Sequence, residues 1–506
     1  MTKATEARDT ATESGQVRLG TGIAPLDEIL YGGFPANRIY LIQGEPGTGK
    51  TTLGMQYLME GVKQGEAGLY VTMSETREEL DTIAASHGWS LEGFSIYAWE
   101  STEDSLKPES QYTIFHPSEI ELSETTSAVL AEVERVKPQR VVFDSLSEMR
   151  LLANDALRFR RQIRSLKQYF AGKQSTVLLL DDKVDHGQNL QVQTIAHGVI
   201  SLEHLAIEYG AERRRLRVTK LRGSKFRGGY HDFNIETGGV VVFPRLVAME
   251  HRQEFEKGPV ASGIQALDSL LGGGLDRGTS TLIMGPAGSG KSTLAAHFAA
   301  SATRRGEHAA IFVFDELKET FIRRADGTGI QLQKSIDNGL LTIQQVDPAE
   351  LSPGEFAHAV RTSVERSEAK VVIIDSLNGY LNAMPEERFL TIQMHELLTY
   401  LNQLGVVTIM VMAQHGFLGS QMGTPVDVSY LADNVLLLRY FEAEGAVRRA
   451  LSVVKKRTGA HESTIREMKI TSDGIRFGAP LREFRGVLTG VPTYDGNRAD
   501  REQGFE

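Results

Sequence analysis

Two eight-residue segments carry a pattern that can hold a phosphate chain. Gly44-Glu45-Pro46-Gly47-Thr48-Gly49-Lys50-Thr51 fits G-x-x-x-x-G-K-S/T, and so does Gly285-Pro286-Ala287-Gly288-Ser289-Gly290-Lys291-Ser292. The glycines permit backbone conformations that point several N–H groups at one phosphate chain, and a helix N-terminus adds partial positive charge. Lys50 and Lys291 are placed to reach the β- and γ-phosphates. The Thr51 and Ser292 hydroxyls are placed for Mg2+. Each loop follows an apolar run and opens a helix-like segment, the context the motif requires.

Phosphoryl chemistry needs carboxylates as well. Asp144 and Asp375 end apolar runs, RVVFD and VVIID, where a carboxylate can hold a metal-bound water; each can also N-cap the following helix. A base for the attacking water belongs at the tip of the strand after the P-loop helix. Thr72-Met73-Ser74-Glu75 and Phe314-Asp315-Glu316 supply the candidates Glu75, Asp315 and Glu316, or else caps for the next helix. Lys220 and Arg222, then Lys455 and Arg457, recur at the ends of late strands. They can stabilise developing charge on a neighbouring subunit's γ-phosphate, or form a solvated strand end. Asp181, Asp182 and Gln414 follow apolar runs and can sense the γ-phosphate or cap a turn. His186, His197 and His204 share no helical face, so a metal site is not expected there. The basic stretch 213–227 reads better as an interface or charged strand edge than as a DNA-lining channel.

The elements that must position these groups occur twice. Residues 20–52 and 261–293 align without a gap, at an offset of one domain length, and 14 of 33 positions are identical. VVFDSLS at 141–147 matches VIIDSLN at 372–378, and KLR at 220–222 matches KKR at 455–457. Each copy alternates Val/Leu/Ile-rich runs with helical segments, which predicts a mainly parallel sheet flanked by helices. The closing runs predict antiparallel strands added at one edge: VISLEHL, RRLRVTKLR and GGVVVFP in the first copy, NVLLLRYFE, AVRRALSVVKKR and REMKITSDGIRF in the second. The predicted plan is a disordered tail 1–17, a first domain 18–248, a linker 249–259, a second domain 260–493 and a short polar tail 494–506.

Composition excludes several classes. The 506 residues include no cysteine, which removes disulfide scaffolds, cysteine-ligated metals and a cysteine nucleophile. A formal charge of −10 does not suit a protein that coats nucleic acid. No run approaches the length of a membrane span, and the polar N-terminus is no secretory signal, so the cytoplasm is the expected location.

These residues resemble the RecA-like ATPases and, within them, the KaiC family, over about residues 18–493. The most specific parts are the paired P-loops, FDSLS and IDSLN, the KLRG and KKRTG segments, and REFRGVLTGVPT. The resemblance implies a hexamer of two stacked rings with ATP between subunits. It implies slow hydrolysis and a KaiB-like partner at the first ring, and Ser/Thr autophosphorylation at the second. It also implies nucleotide contacts at Thr52, Ser86, Leu221 and Ser224, and at Thr293 and Lys456, beside the loop and strand-end residues above. The family's paired glutamates are Ser74-Glu75 and Asp315-Glu316 here. Its adjacent Ser-Thr phosphosite is Ser429-Tyr430, with Thr424 matching an upstream threonine. The 13-residue tail is shorter than the family's KaiA-binding tail, so KaiA-type control is not expected. Against the leading expectation, an ATPase switch with serine autokinase activity, stand a DNA-dependent RecA/RadA-type ATPase and a ring scaffold that binds ATP structurally.

Overall fold

The computed structural model describes residues 17–99, 117–153, 155–183, 189–206, 210–382, 390–414, 430–488 and 493–494. The chain divides into two compact units that meet at Arg245 and Leu246.

The first unit is built on nine strands: β1 (Ile39–Gly44), β2 (Gly68–Thr72), β3 (Ser95–Ala98), β4 (Arg140–Asp144), β5 (Thr176–Asp182), β6 (Gly198–Leu205), β7 (Arg213–Leu221), β8 (His231–Glu236) and β9 (Gly239–Phe243). Its helices include α1 (Lys50–Lys63), α2 (Arg77–Ser86), α3 (Pro117–Val136), α4 (Leu146–Ala153), α5 (Ala156–Ala171) and α6 (Asn189–Ile195). The sheet order is β9-β8-β7-β6-β1-β5-β4-β2-β3. β1, β2 and β4 are buried along their whole length, because helices cover both faces of the sheet. The P-loop strand therefore lies in the middle, with its neighbours' C-terminal ends beside it.

The second unit repeats this plan with β10 (Ser280–Gly285), β11 (Ala309–Val313), β12 (Leu341–Gln345), β13 (Val371–Asp375), β14 (Val407–Ala413), β15 (Asn434–Ala443), β16 (Ala446–Lys456), β17 (Ile465–Thr471) and β18 (Gly474–Pro480). Its order is β12-β11-β13-β14-β10-β15-β16-β17-β18. α7 (Lys291–Arg304) follows its P-loop, and α8 (Lys318–Asp326), α9 (Pro353–Ser367) and α10 (Leu390–Gln403) come later. The two units are tandem RecA-like domains.

One detail differs from the sequence reading. VISLEHL and NVLLLRYFE are not antiparallel additions: β6 runs parallel to β1 and β15 parallel to β10. Antiparallel pairing begins one strand later, at β7 and β16. In the first unit the short helix α6 supplies the crossover that a parallel pair requires. Edge strands β3 and β12 complete the opposite side.

Residues 246–255, next to and within the expected linker, pack on the second unit. Leu246 and Ala248 are buried in its core, and the Phe255 ring lies against Gly278 and Gly405. Among the described residues, no helix is long and apolar enough to cross a membrane.

Candidate nucleotide sites

The parallel register gathers the candidate residues of the first unit on one sheet edge. Gly44 at the end of β1 pairs with Asp182 at the end of β5, and Thr72 at the end of β2 pairs with Asp144 at the end of β4. Ligand sites of open parallel sheets form along this C-terminal edge. Gly49 caps α1 at φ 90°, in the left-handed region that glycine adopts without strain. That turn makes Lys50 and Thr51 the first two residues of the helix. Gly44 is needed for close approach, since a Cβ there would lie 2.5 Å from Thr48 Oγ1. The Thr48 hydroxyl in turn donates to the Glu45 carbonyl at 2.7 Å, and Thr52 is buried behind the loop.

Lys50 folds over the loop. Its Nζ donates to the Gly44 and Glu45 carbonyls at 2.9 and 3.0 Å and lies 2.9 Å from Asp182 Oδ1. Burial pulls Asp182 upward, but the bonds from Lys50 and Ser147 outweigh it and leave its carboxyl below the ordinary range. Its neighbour Asp181 is held by Arg150 at 2.5 Å, and burial keeps that carboxyl raised.

Thr51 Oγ1 donates to Asp144 Oδ2 at 2.7 Å, and the same oxygen accepts from the Tyr70 hydroxyl at 2.5 Å. Hydroxyl and carboxylate thus meet beside the loop. The Tyr70 contact escaped the sequence reading, because a buried strand tyrosine looks like core until its hydroxyl's partner is known.

Glu75 does not cap the next helix. Thr76 does, accepting from the Glu79 N–H while the Glu79 carboxylate accepts from the Thr76 N–H. The spacing Thr76-x-x-Glu79 is the capping-box signature and was present in the sequence. Glu75 Oε2 is left buried with no hydrogen-bond partner among the described residues. Burial, then the Asp144 and Glu79 charges, push this carboxyl up to about 7, against the opposing effect of Lys50.

The second unit repeats the frame with different side chains. Gly290 caps α7 at φ 98°, Gly288 has φ 72°, and Lys291 Nζ donates to the Pro286 carbonyl at 2.8 Å. Register pairs Gly285 with Ala413, so no carboxylate stands where Asp182 stands in the first unit. Burial brings Lys291 down to about 8, with Asp375 opposing. Burial raises Asp375 to about 6, with the Ser292 hydrogen bond and Arg324 pulling the other way. Asp375 Oδ2 and Ser289 Oγ are buried without hydrogen-bond partners among the described residues, and Thr293 is buried. At the strand tip, Asp315 accepts from the Ser376 hydroxyl and Glu316 is ion-paired with Arg324. The residue that caps α8, Leu317, brings no side-chain cap.

The bonds described for the late basic residues run to backbone carbonyls and to Asp433. Lys220 Nζ donates to the Gln193 and Ala196 carbonyls at 2.6 and 2.7 Å, and Arg222 donates to the Thr194 carbonyl at 2.8 Å, so both clasp the C-terminal end of α6. Lys455 donates to the Ala432 carbonyl, Lys456 to the Leu271 carbonyl, and Arg457 pairs with Asp433 at 3.2 Å. Leu221 is buried, Ser224 accepts from Arg18 at 3.1 Å, and Ser86 Oγ donates to the Ile83 carbonyl of its own helix. Ser429 and Thr424 lie outside the described residues.

Mg2+ fits these residues. Such ions take one or two carboxylates together with substrate phosphates and water, not a full protein cage. Each loop presents one hydroxyl and one strand-end carboxylate, Thr51 with Asp144 and Ser292 with Asp375. One of those carboxylate oxygens, Asp375 Oδ2, has no hydrogen-bond partner among the described residues. Among the described residues no group of three or more His, Asp or Glu side chains gathers as a metal cage.

A duplicated RecA-like domain with a P-loop and a strand-end aspartate in each copy defines a tandem P-loop ATPase. A family model described as "ATPase: KaiC" matches residues 19–247 and 260–482. The chain belongs to the KaiC ATPase family. The circadian clock oscillator protein KaiC of Parasynechococcus marenigrum is 27% identical over 491 residues, covering 95% of this chain and 94% of that protein. KaiC 1 of Synechocystis is 27% identical over 495 residues, covering 96% and 94%, and KaiC of Thermostichus vulcanus is 27% identical over 505, covering 97% and 96%.

Proposed function

We propose that this KaiC-family protein hydrolyses ATP at the first unit and holds ATP for phosphoryl transfer at the second, as a nucleotide-driven switch. The observation that carries the reading is the difference between the two strand tips: among the described residues Glu75 keeps an unpaired buried oxygen beside the Thr51–Asp144 pair, whereas Glu316 is ion-paired. Lys50 and the N–H groups of the loop bind the β- and γ-phosphates. Glu75 accepts a proton from the water that attacks the γ-phosphorus, and ADP leaves. Thr51 with Asp144, and Ser292 with Asp375, would hold Mg2+, which would neutralise phosphate charge when bound.

Lys220 and Arg222, and Lys455 and Arg457, act on the neighbouring subunit's nucleotide; their described bonds run to the end of α6, to the Ala432 carbonyl and to Asp433. The assembly is a homo-oligomer, a hexamer of two stacked rings, in the cytoplasm. The relatives' names tie them to the circadian clock, and a clock-like or signalling role with a KaiB-like partner is carried over here on that resemblance. Ser429 is the proposed autophosphorylation site, with Thr424 second. The test is ATP turnover of wild type, Lys50→Ala and Lys291→Ala with Mg2+, together with intact-mass spectrometry after incubation with Mg-ATP. Turnover lost mainly in Lys50→Ala, and phosphate lost in Lys291→Ala, is the expected pattern. Absence of turnover in the wild type refutes the reading.

A further inference from the structure

Glu316 and Arg324 form an ion pair that the first unit does not repeat. The offset that places Glu75 on Glu316 places Ile83 on Arg324. Ile83 packs against the apolar core of the first unit, so no cation faces Glu75 from that position. In the second unit α8 begins at Lys318, just past the strand tip, and carries Arg324 back to the tip. The guanidinium bonds Glu316 Oε1 and lies 5.1 Å from the Phe321 ring centre, which limits its freedom. The same charge bears on Asp375, the strand-end carboxylate of this site.

We propose that Arg324 is a positioning residue that holds Glu316 in reserve, slowing hydrolysis at the second unit so that its ATP outlives that of the first. This rests on the functional reading above and takes Glu316, one of the two candidate carboxylates at that strand tip, as the base of the second site. A carboxylate oxygen already bound to a guanidinium must give up that bond before it can take a proton from water. The pair is partly exposed, 36% for Arg324 and 25% for Glu316, so its restraint is modest. A pair of this kind shifts a population by roughly two- to fivefold.

The experiment uses full-length protein with Lys50→Ala, so that turnover reports the second unit alone. Arg324→Leu and Arg324→Gln are compared with Arg324→Lys and the parent. Release of Glu316 raises kcat by roughly two- to fivefold in the first two with KM unchanged, while Arg324→Lys stays near the parent. A merely structural loss lowers kcat, so the sign separates the two. The Gln variant keeps a polar side chain at the position in case Leu disturbs folding. Unchanged or reduced kcat in both Leu and Gln variants overturns the proposal. If the wild-type protein has no turnover, the functional reading itself falls, and this inference with it.

Discussion

Lys50 Nζ and Asp182 Oδ1 stand 2.9 Å apart at the edge of the sheet, and the matching pair in the second unit is Lys291 and Ala413. The two P-loop lysines therefore start from different states. Lys50 must exchange a carboxylate for phosphate, whereas the contact described for Lys291 is the Pro286 carbonyl. Asp182 is further tied by the Ser147 hydroxyl at 2.9 Å, so it stays in place when Lys50 leaves it.

Asp182→Asn removes that competition. In a Lys291→Ala background, which leaves only the first site, ADP affinity rises by roughly threefold to tenfold, the scale of one hydrogen bond of ordinary net strength. Equilibrium binding of a fluorescent nucleotide measures it. Unchanged or weaker binding means that Asp182 supports the loop instead of competing with phosphate.

Lys291 gives the second site a pH dependence of definite sign. Its folded value is lowered to about 8, so the ammonium is fully present below that pH and is lost as pH rises through it. In a Lys50→Ala background nucleotide affinity falls as pH rises through about 8. A bound phosphate chain favours the charged form and moves the fall upward. Binding isotherms across that window that stay flat contradict the assignment.

With Glu75 as the proposed base, its protonation state sets turnover in the first unit. With its carboxyl raised to about 7, the base form grows as pH climbs through that value, and turnover climbs with it. Glu75→Gln lowers kcat by about 10²–10⁴ while nucleotide still binds. Stability moves the other way: ionising a carboxyl whose folded value is raised costs stability, and the cost grows from about 4.5 to about 7. Glu75→Gln therefore gains melting temperature relative to wild type above that window and not below it. Equal melting differences at both ends would remove the burial argument.

How much of this was legible differs by residue. The P-loops were legible because the motif is contiguous and repeated, and Asp144 and Asp375 because each ends an apolar run. The helix cap at Thr76 was legible in its spacing to Glu79, and Glu75 was legible as a base candidate from its place at the strand tip. The direction of β6 was not legible, since orientation depends on the short crossover α6 and not on strand composition. Arg324 was not legible either. It lies near the end of α8, and only side-chain geometry brings it to Glu316.

Arg140 anchors the first unit. Its side chain is fully buried, ion-paired with Glu66, and donates to the Gly20 and Tyr57 carbonyls at 2.6 and 2.9 Å, with its guanidinium 4.7 Å from the Tyr57 ring centre. Arg140→Met strands Glu66 and two carbonyls, which costs about 3–5 kcal/mol. Both tryptophans, Trp89 and Trp99, lie in the first unit, so their fluorescence follows its unfolding alone. An unfolding midpoint close to wild type would show that water replaces these bonds without cost.

Lys220 and Arg222 decide whether the first site is shared between subunits. Both clasp the carbonyl end of α6, so their loss either loosens that helix or removes charge from a neighbour's nucleotide. Mixing separates the two. Lys220→Ala/Arg222→Ala protein keeps Lys50, and Lys50→Ala protein keeps the basic pair; each is made in a Lys291→Ala background, and each alone loses first-site turnover. If the pair acts across the interface, a mixed ring contains contacts where an intact P-loop meets an intact basic pair. With equal random mixing that is about a quarter of the interfaces, so turnover returns to about a quarter of the parent value. If the pair acts only within its own chain, no such interface arises and the mixture gives the mean of its components. Turnover at that mean after subunit exchange would end the case for a shared site.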